Sequence, residues 1–237
     1  MAAMKAIRTV IGSAGRCRWT VGRVCIGFLA AIDIEDGRSR GVWAWPLGTI
    51  RRHPNDLWQY PVRVGLCCFL GHGAGGTAAS MAPFVAGLRA RGIVAEAIQL
   101  TRRRAEAALP AFHAAVPLAA DVVVGGHSYG GRVASLAASE PGAPYVALVL
   151  FSYPLHRPGA PERTEARISH WPAIRCPVLL LSGESDPFAR IDLLRGAVAH
   201  LGDARLVTYP RLGHTLKPVL EDVLDRVAAF LDEVPRG

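Results

Sequence analysis

The chain predicts an α/β fold in which a mostly parallel central sheet carries helices on both faces. Three observations lead there. From residue 61 onward, short apolar and β-branched runs alternate with longer helical patterns, an alternation that returns each strand parallel to the last. At Val122 to Ser135 the sequence VVVGGHSYGGRVAS takes a strand through a tight glycine-framed turn into a small-residue helix. The 237 residues are 51% hydrophobic and 19% charged, which suits one sizeable core rather than a disordered chain.

In chain order, residues 1–60 are set apart as an N-terminal segment that is either a source of early strands or an appended extension. They hold four of the five tryptophans without a clear period. In the first reading, Val24 to Ile34 and Gly41 to Trp45 pair antiparallel across the Glu-Asp-Gly turn at 35–37. Arg16, Arg18 and Arg23 before the run Val24 to Ile32 superficially resemble a signal peptide. Nine apolar residues are too few to span a bilayer and no A-x-A cleavage site follows, so a cytoplasmic location is expected. Five cysteines, an odd count with no C-x-x-C pair, fit buried small hydrophobes in a reducing compartment rather than a disulfide framework or a zinc site. The net charge of +8 is mostly N-terminal: residues 1–64 hold ten Lys/Arg against four Asp/Glu, leaving 17 against 15 for the remainder. A nearly neutral domain whose one basic run, Arg102-Arg103-Arg104, reads as a solvated helix start is not expected to bind nucleic acid, and no membrane partner is expected either.

The α/β domain is expected over 61–237. Val62 to Leu70 reads as a strand that runs into Gly71-His72-Gly73-Ala74-Gly75-Gly76; no Lys-Ser/Thr follows, so a phosphate loop is disfavoured. Ala79 to Arg91 reads as a helix with Met81, Phe84, Val85 and Leu88 on one face, closed by Gly92. Ile93 to Leu100 is a strand, and Ala105 to Val116 a helix that Pro110 should kink or split. Val146 to Phe151, Val178 to Leu181 and Ala204 to Tyr209 supply three more strands, and Val219 to Leu231 an amphipathic final helix. No G-x-G-x-x-G follows any strand, which argues against a dinucleotide-binding domain.

The turn Gly126-His127-Ser128-Tyr129-Gly130 is a G-x-S-x-G pattern between strand and helix. Such a turn puts its serine in a strained backbone conformation, and glycines stand two residues either side because a side chain there would strike a neighbouring strand or helix. In this setting the pattern resembles the nucleophile elbow of the α/β-hydrolase superfamily. G-H-G-A-G-G at 71–76, G-G-H-S-Y-G-G-R at 125–132 and Y-P-L-H-x-P-G at 153–159 resemble the dienelactone-hydrolase-like branch. Within it, the likeness is to small bacterial hydrolases related to a non-specific-lethal chromatin-complex subunit. The resemblance covers about residues 62–234; its motifs are specific for fold and weak for substrate. It implies an α/β-hydrolase fold for 61–237, and an oxyanion hole made by the backbone N–H groups of Ala74 and Tyr129. Only 26 residues separate Phe151 from Val178, which leaves room for a minimal cap or none and so for an open site.

The strand Val178 to Leu181 runs into Ser182-Gly183-Glu184-Ser185-Asp186-Pro187, which delivers an acid to the same sheet edge as Ser128. Asp186 is preferred because the G-x-x-D turn resembles the family's acid loop; Glu184 is the competitor. Of eight histidines, His214 follows the last strand through Pro210-Arg211-Leu212-Gly213 and precedes the final helix, so it sits in a loop at that edge. The order Ser128, Asp186, His214 is the order the resemblance implies. His72 and His127 belong to turn motifs and read as structural, while His53, His156 and His170 lie in loops without an identifiable partner.

These residues suggest a serine hydrolase that cleaves a small carboxylic ester or thioester through an acyl-enzyme on Ser128, with no cofactor and no metal. The alternative is a hydrolase-fold scaffold or binding protein without turnover. Arg157, Arg163 and Arg167 would favour an anionic substrate, or are simply solvated.

Overall fold

The computed structural model describes residues 34–35, 38–39, 65–101 and 104–235. Two short strands, β1 (Ile34–Glu35) and β2 (Arg38–Ser39), pair antiparallel with Ile34 opposite Ser39. They form a two-stranded sheet of their own, and among the described residues no strand before Cys67 joins the main sheet. Ile34 and Glu35 pair with Arg38 and Ser39 on either side of the Asp36-Gly37 step, in the register that the expected pair of Val24 to Ile34 with Gly41 to Trp45 would continue. The rest of that expectation lies outside the described residues.

The main sheet has six strands: β3 (Cys67–Gly71), β4 (Val94–Ile98), β5 (Val122–His127), β6 (Ala147–Phe151), β7 (Val178–Gly183) and β8 (Ala204–Tyr209). Their order is β4-β3-β5-β6-β7-β8 and every pairing is parallel. The strands are continuous apolar runs because both faces are covered. Successive residues serve opposite layers: Val122, Val124, Leu148, Leu150 and Leu180 pack on one side, Val123, Val149, Phe151, Leu179 and Leu181 on the other. The adjacent Cys67 and Cys68 split the same way, and burial pushes the Cys68 thiol up to about 12, so it stays protonated and packs as a small apolar group.

Helices α1 (Ala82–Ala90) and α6 (Leu220–Glu233) cover one face. On α6, Val223, Leu224, Val227, Phe230 and Leu231 are buried at the spacing of one helical stripe. Arg91, just past α1, is only 7% exposed and reaches Glu221 and Asp225 of α6 at 2.8 and 2.7 Å, locking the two helices together. The other face carries α2 (Ala105–Ala115), α3 (Tyr129–Ala138) and α5 (Ile191–Ala197). Pro110 does not split α2: the helix runs through it, with Ala108 and Phe112 fully buried on either side. One missing backbone hydrogen bond is outweighed by that burial. Between β6 and β7 lie only the five-residue helix α4 (Thr164–Ile168) and short 3₁₀ turns, so the expected minimal cap is what the structure has.

Candidate active site

The glycines explain how the turn at Ser128 fits. A Cβ on Gly130, in the first turn of α3, would stand 2.2 Å from the carbonyl carbon and oxygen of Gly71 at the end of β3. One on Gly126 would stand 2.4 Å from the same Gly71 oxygen. Helix and strand therefore meet backbone to backbone. Between them Ser128 takes φ 52°, ψ −111°, a conformation worth about 1 to 3 kcal/mol of strain for a residue with a side chain. Its N–H donates to the Phe151 carbonyl at 2.8 Å and its own carbonyl accepts from Arg132 N–H at 3.0 Å, so the strained residue is held from both neighbouring elements.

The predicted trio converges. His214 Nε2 lies 2.9 Å from Ser128 Oγ, and His214 Nδ1 lies 2.7 Å from Asp186 Oδ2. The carboxylate's other oxygen accepts the Phe188 N–H at 2.8 Å. Asp186 has no exposed side-chain surface while His214 keeps 23%, so the acid is sealed behind an imidazole that meets the solvent. Because a carboxylate only accepts, Nδ1 carries the proton and Nε2 presents its lone pair to the serine hydroxyl. Glu184, the competing acid, points elsewhere: its Oε1 accepts from Thr208 Oγ1 at 2.8 Å and from Arg195 Nη2 at 3.0 Å.

Loop geometry brings the pieces together. A Cβ on Gly183 would stand 2.1 Å from the Leu212 oxygen, so the end of β7 lets the His214 loop lie directly upon it. The Ser185 N–H to Leu212 carbonyl bond at 2.9 Å fastens acid loop to histidine loop. Phe188 packs on the His214 ring at 4.5 Å between centroids.

A cleft of about 420 Å³ opens over Ser128 and His214. Met81, Phe84, Phe188 and Leu216 give it apolar walls, and Lys217 stands at its lining. The glycine-rich loop forms one side. There a Gly76 N–H to Gly73 carbonyl bond at 2.9 Å closes a turn that contains Ala74, and Ala74 lines the cleft. Tyr129 begins α3, so its backbone N–H sits at the helix N-terminus next to Ser128, while its hydroxyl donates to the Thr101 carbonyl at 2.7 Å.

Two other histidines, His72 and His156, hold loops in place, and their partners were not visible in the sequence. His72 is buried; Nδ1 donates to the Gly73 carbonyl at 2.8 Å, leaving Nε2 to accept the Leu100 N–H at 3.1 Å, which pins the glycine loop to the end of β4. His156 does the same for the acid loop: Nδ1 donates to its neighbour's carbonyl, Nε2 accepts the Arg190 N–H at 3.2 Å, and its own N–H reaches the Phe188 carbonyl at 3.0 Å. Tyr153, Pro154, Leu155 and His156 are all buried and none lines the cleft, so the Y-P-L-H stretch supports the acid loop rather than touching a ligand. Both imidazoles act across 28 or more residues of sequence, so no local pattern marks them. Among the described residues no three His, Cys, Asp or Glu side chains converge to hold a metal ion, and no helix is long and apolar enough to cross a membrane.

Comparison with known proteins agrees with this geometry. A sequence family described as an alpha/beta hydrolase domain matches residues 95–232. No curated protein sequence matches the chain. Among solved structures, dienelactone hydrolase from Anabaena variabilis is similar with a TM-score of 0.60 at 20% identity, over 75% of this chain and 90% of that one. An esterase from Pyrococcus furiosus gives 0.61 at 17% identity, over 72% and 83%. A monoacylglycerol lipase from Paleococcus ferrophilus gives 0.58 at 13% identity, over 69% and 94%. At these identities the likeness is one of fold.

Proposed function

This chain belongs to the α/β-hydrolase domain family, and on that premise we propose that it is a serine hydrolase that cleaves a small carboxylic ester or thioester, within the dienelactone-hydrolase-like branch. The observation that carries the proposal is the continuous chain from Ser128 Oγ through His214 to a buried Asp186, at 2.9 and 2.7 Å, opening on a cleft. The fold relatives named as esterase, lipase and dienelactone hydrolase lend it support.

In this reading Ser128 Oγ attacks the carbonyl carbon as its proton passes to His214 Nε2, and Asp186 stabilises the imidazolium. The carbonyl oxygen becomes an oxyanion and meets the backbone N–H groups of Ala74 and Tyr129, each such donor contributing about 3 to 4 kcal/mol to lowering the barrier. Collapse of the tetrahedral species breaks the bond to the alcohol or thiol, which leaves with the proton from His214. Water then attacks the acyl-serine, giving its proton to His214 and restoring the hydroxyl of Ser128. The cleft volume suits a small acyl group laid against Met81, Phe84 and Leu216.

Intact-mass labelling with a fluorophosphonate tests this. One adduct is expected on the wild type, none on Ser128→Ala, and labelling on His214→Ala slowed to the edge of detection. A folded wild type that takes no adduct would overturn the hydrolase reading and favour a binding scaffold.

A further inference from the structure

We propose that His127, the residue before Ser128, is a positioning residue that holds His214 in register through the main chain of its loop. The proposal rests on the serine-hydrolase reading and uses contacts that the reading leaves idle. His127 Nε2 lies 3.1 Å from the His214 carbonyl oxygen. A carbonyl only accepts, so Nε2 carries a proton and donates it there.

The loop needs this tie. Ser185 N–H fixes Leu212 on the acid side, and Val219 N–H reaches the Leu216 carbonyl where the chain turns toward α6. Among the described residues, the backbone of 213–215 has no hydrogen bond to another element except the one from His127. The same imidazole also braces the glycine loop: a Cβ on Gly73 would stand 3.0 Å from His127 Nδ1. It thus spans the two loops that meet over Ser128, and its ring lies 5.0 Å from that of His214.

Geometry makes the tie matter for turnover. The distances of 2.9 Å to Ser128 and 2.7 Å to Asp186 are both set by where the His214 backbone stands. A misplacement of about 1 Å in such a group costs about 100-fold in rate. Burial also holds the His127 imidazole below its ordinary value, against the His214 carbonyl bond and the Asp186 charge, which favour protonation. The brace is therefore neutral when His214 becomes an imidazolium, and adds no repulsion to it.

The test compares His127→Phe, which keeps a flat ring without a donor, with His127→Gln, whose amide N–H takes the place of Nε2–H. Each is read by kcat and KM on p-nitrophenyl butyrate and by the downfield proton resonance of His214 Nδ1–H in the resting protein. His127→Phe is expected to lower kcat about 10- to 100-fold with KM within about threefold, and to broaden or abolish the resonance. His127→Gln should recover most of the lost kcat and restore the signal. A kcat for His127→Phe within twofold of the wild type, equal losses in both variants, or an undisturbed resonance in His127→Phe would each overturn the proposal. Should His127→Phe fail to fold, His127→Met serves as the variant without a donor. If the wild type hydrolyses no ester, the function reading falls while the resonance still decides the positioning role.

Discussion

Replacing Asp186 by asparagine should cost activity through a change of tautomer, and the structure says why. One carboxylate oxygen is committed to the Phe188 N–H at 2.8 Å, which demands an acceptor. In the amide that position must keep the oxygen, so the NH₂ faces His214 Nδ1 in place of the oxygen now 2.7 Å away. Nδ1 must then accept, the ring proton moves to Nε2, and Nε2 can no longer take the Ser128 proton. A loss of about 10⁴ in kcat is expected, or about 5.4 kcal/mol of barrier, with KM and the urea midpoint little changed because the side chain keeps its volume. Glu184→Gln is the control. Its partners are Thr208 and a 59% exposed Arg195, a surface pair worth at most about 1 kcal/mol, so kcat should stay within twofold. Steady-state kinetics on an activated ester, normalised to the folded fraction, decide it. Asp186→Asn within tenfold of the wild type, or Glu184→Gln losing as much, would refute the assignment.

Gly130→Ala should lower the unfolding free energy by about 1 to 3 kcal/mol in a urea titration, since its Cβ meets the Gly71 backbone at 2.2 Å and neither element can yield without moving Ser128; an unchanged midpoint would contradict the packing. A second expectation concerns pH. The His170 imidazole is pushed down to about 4, first by burial and then by the Arg132 guanidinium, so the folded protein refuses a proton that the unfolded chain accepts below about 6.5. Stability should therefore fall as pH drops through that window, by about 1 to 2 kcal/mol between pH 7 and pH 5 after discounting for partial exposure. His170→Gln, which keeps a partner for Ser135, should show a loss smaller by that amount, and an equal loss would rule out a neutral His170.

The parts of the site that could be read from sequence are those whose requirement is local. The elbow at Gly126 to Gly130 is a backbone problem solved within five residues, and the glycines it needs appear in the sequence as such. His214 was legible because its loop is bounded by a strand and an amphipathic helix, both periodic. Asp186 could be preferred to Glu184 only on its likeness to the family's acid loop, since both follow β7 in the same turn; what separates them physically is Thr208 on β8 and Arg195 on α5, more than ten residues away, which hold Glu184 elsewhere. The roles of His72, His127 and His156 were hidden for the same reason, each depending on a backbone group brought near by folding. Pro110 does not split its helix as one arm of the expectation had it, because helix propensity is a local quantity and the burial of Ala108 and Phe112 is not.

Strand order explains why these scattered residues meet. The glycine loop leaves β3, Ser128 leaves β5 and Asp186 leaves β7, all at the same end of a parallel sheet in which β5, β6 and β7 are interior. Each of those strand ends carries a glycine, Gly71, Gly126 and Gly183, and at each the missing Cβ is filled by backbone from a partner loop, helix or strand. The site is thus assembled from main chain pressed on main chain, with buried imidazoles at His72 and His156 fixing two of the loops and His127 joining the third to the elbow. Backbone contacts of this kind tolerate wide variation in the surrounding side chains. The glycines themselves leave no such latitude, because a Cβ at Gly126, Gly130 or Gly183 would stand 2.1 to 2.4 Å from main-chain atoms of the element packed on it.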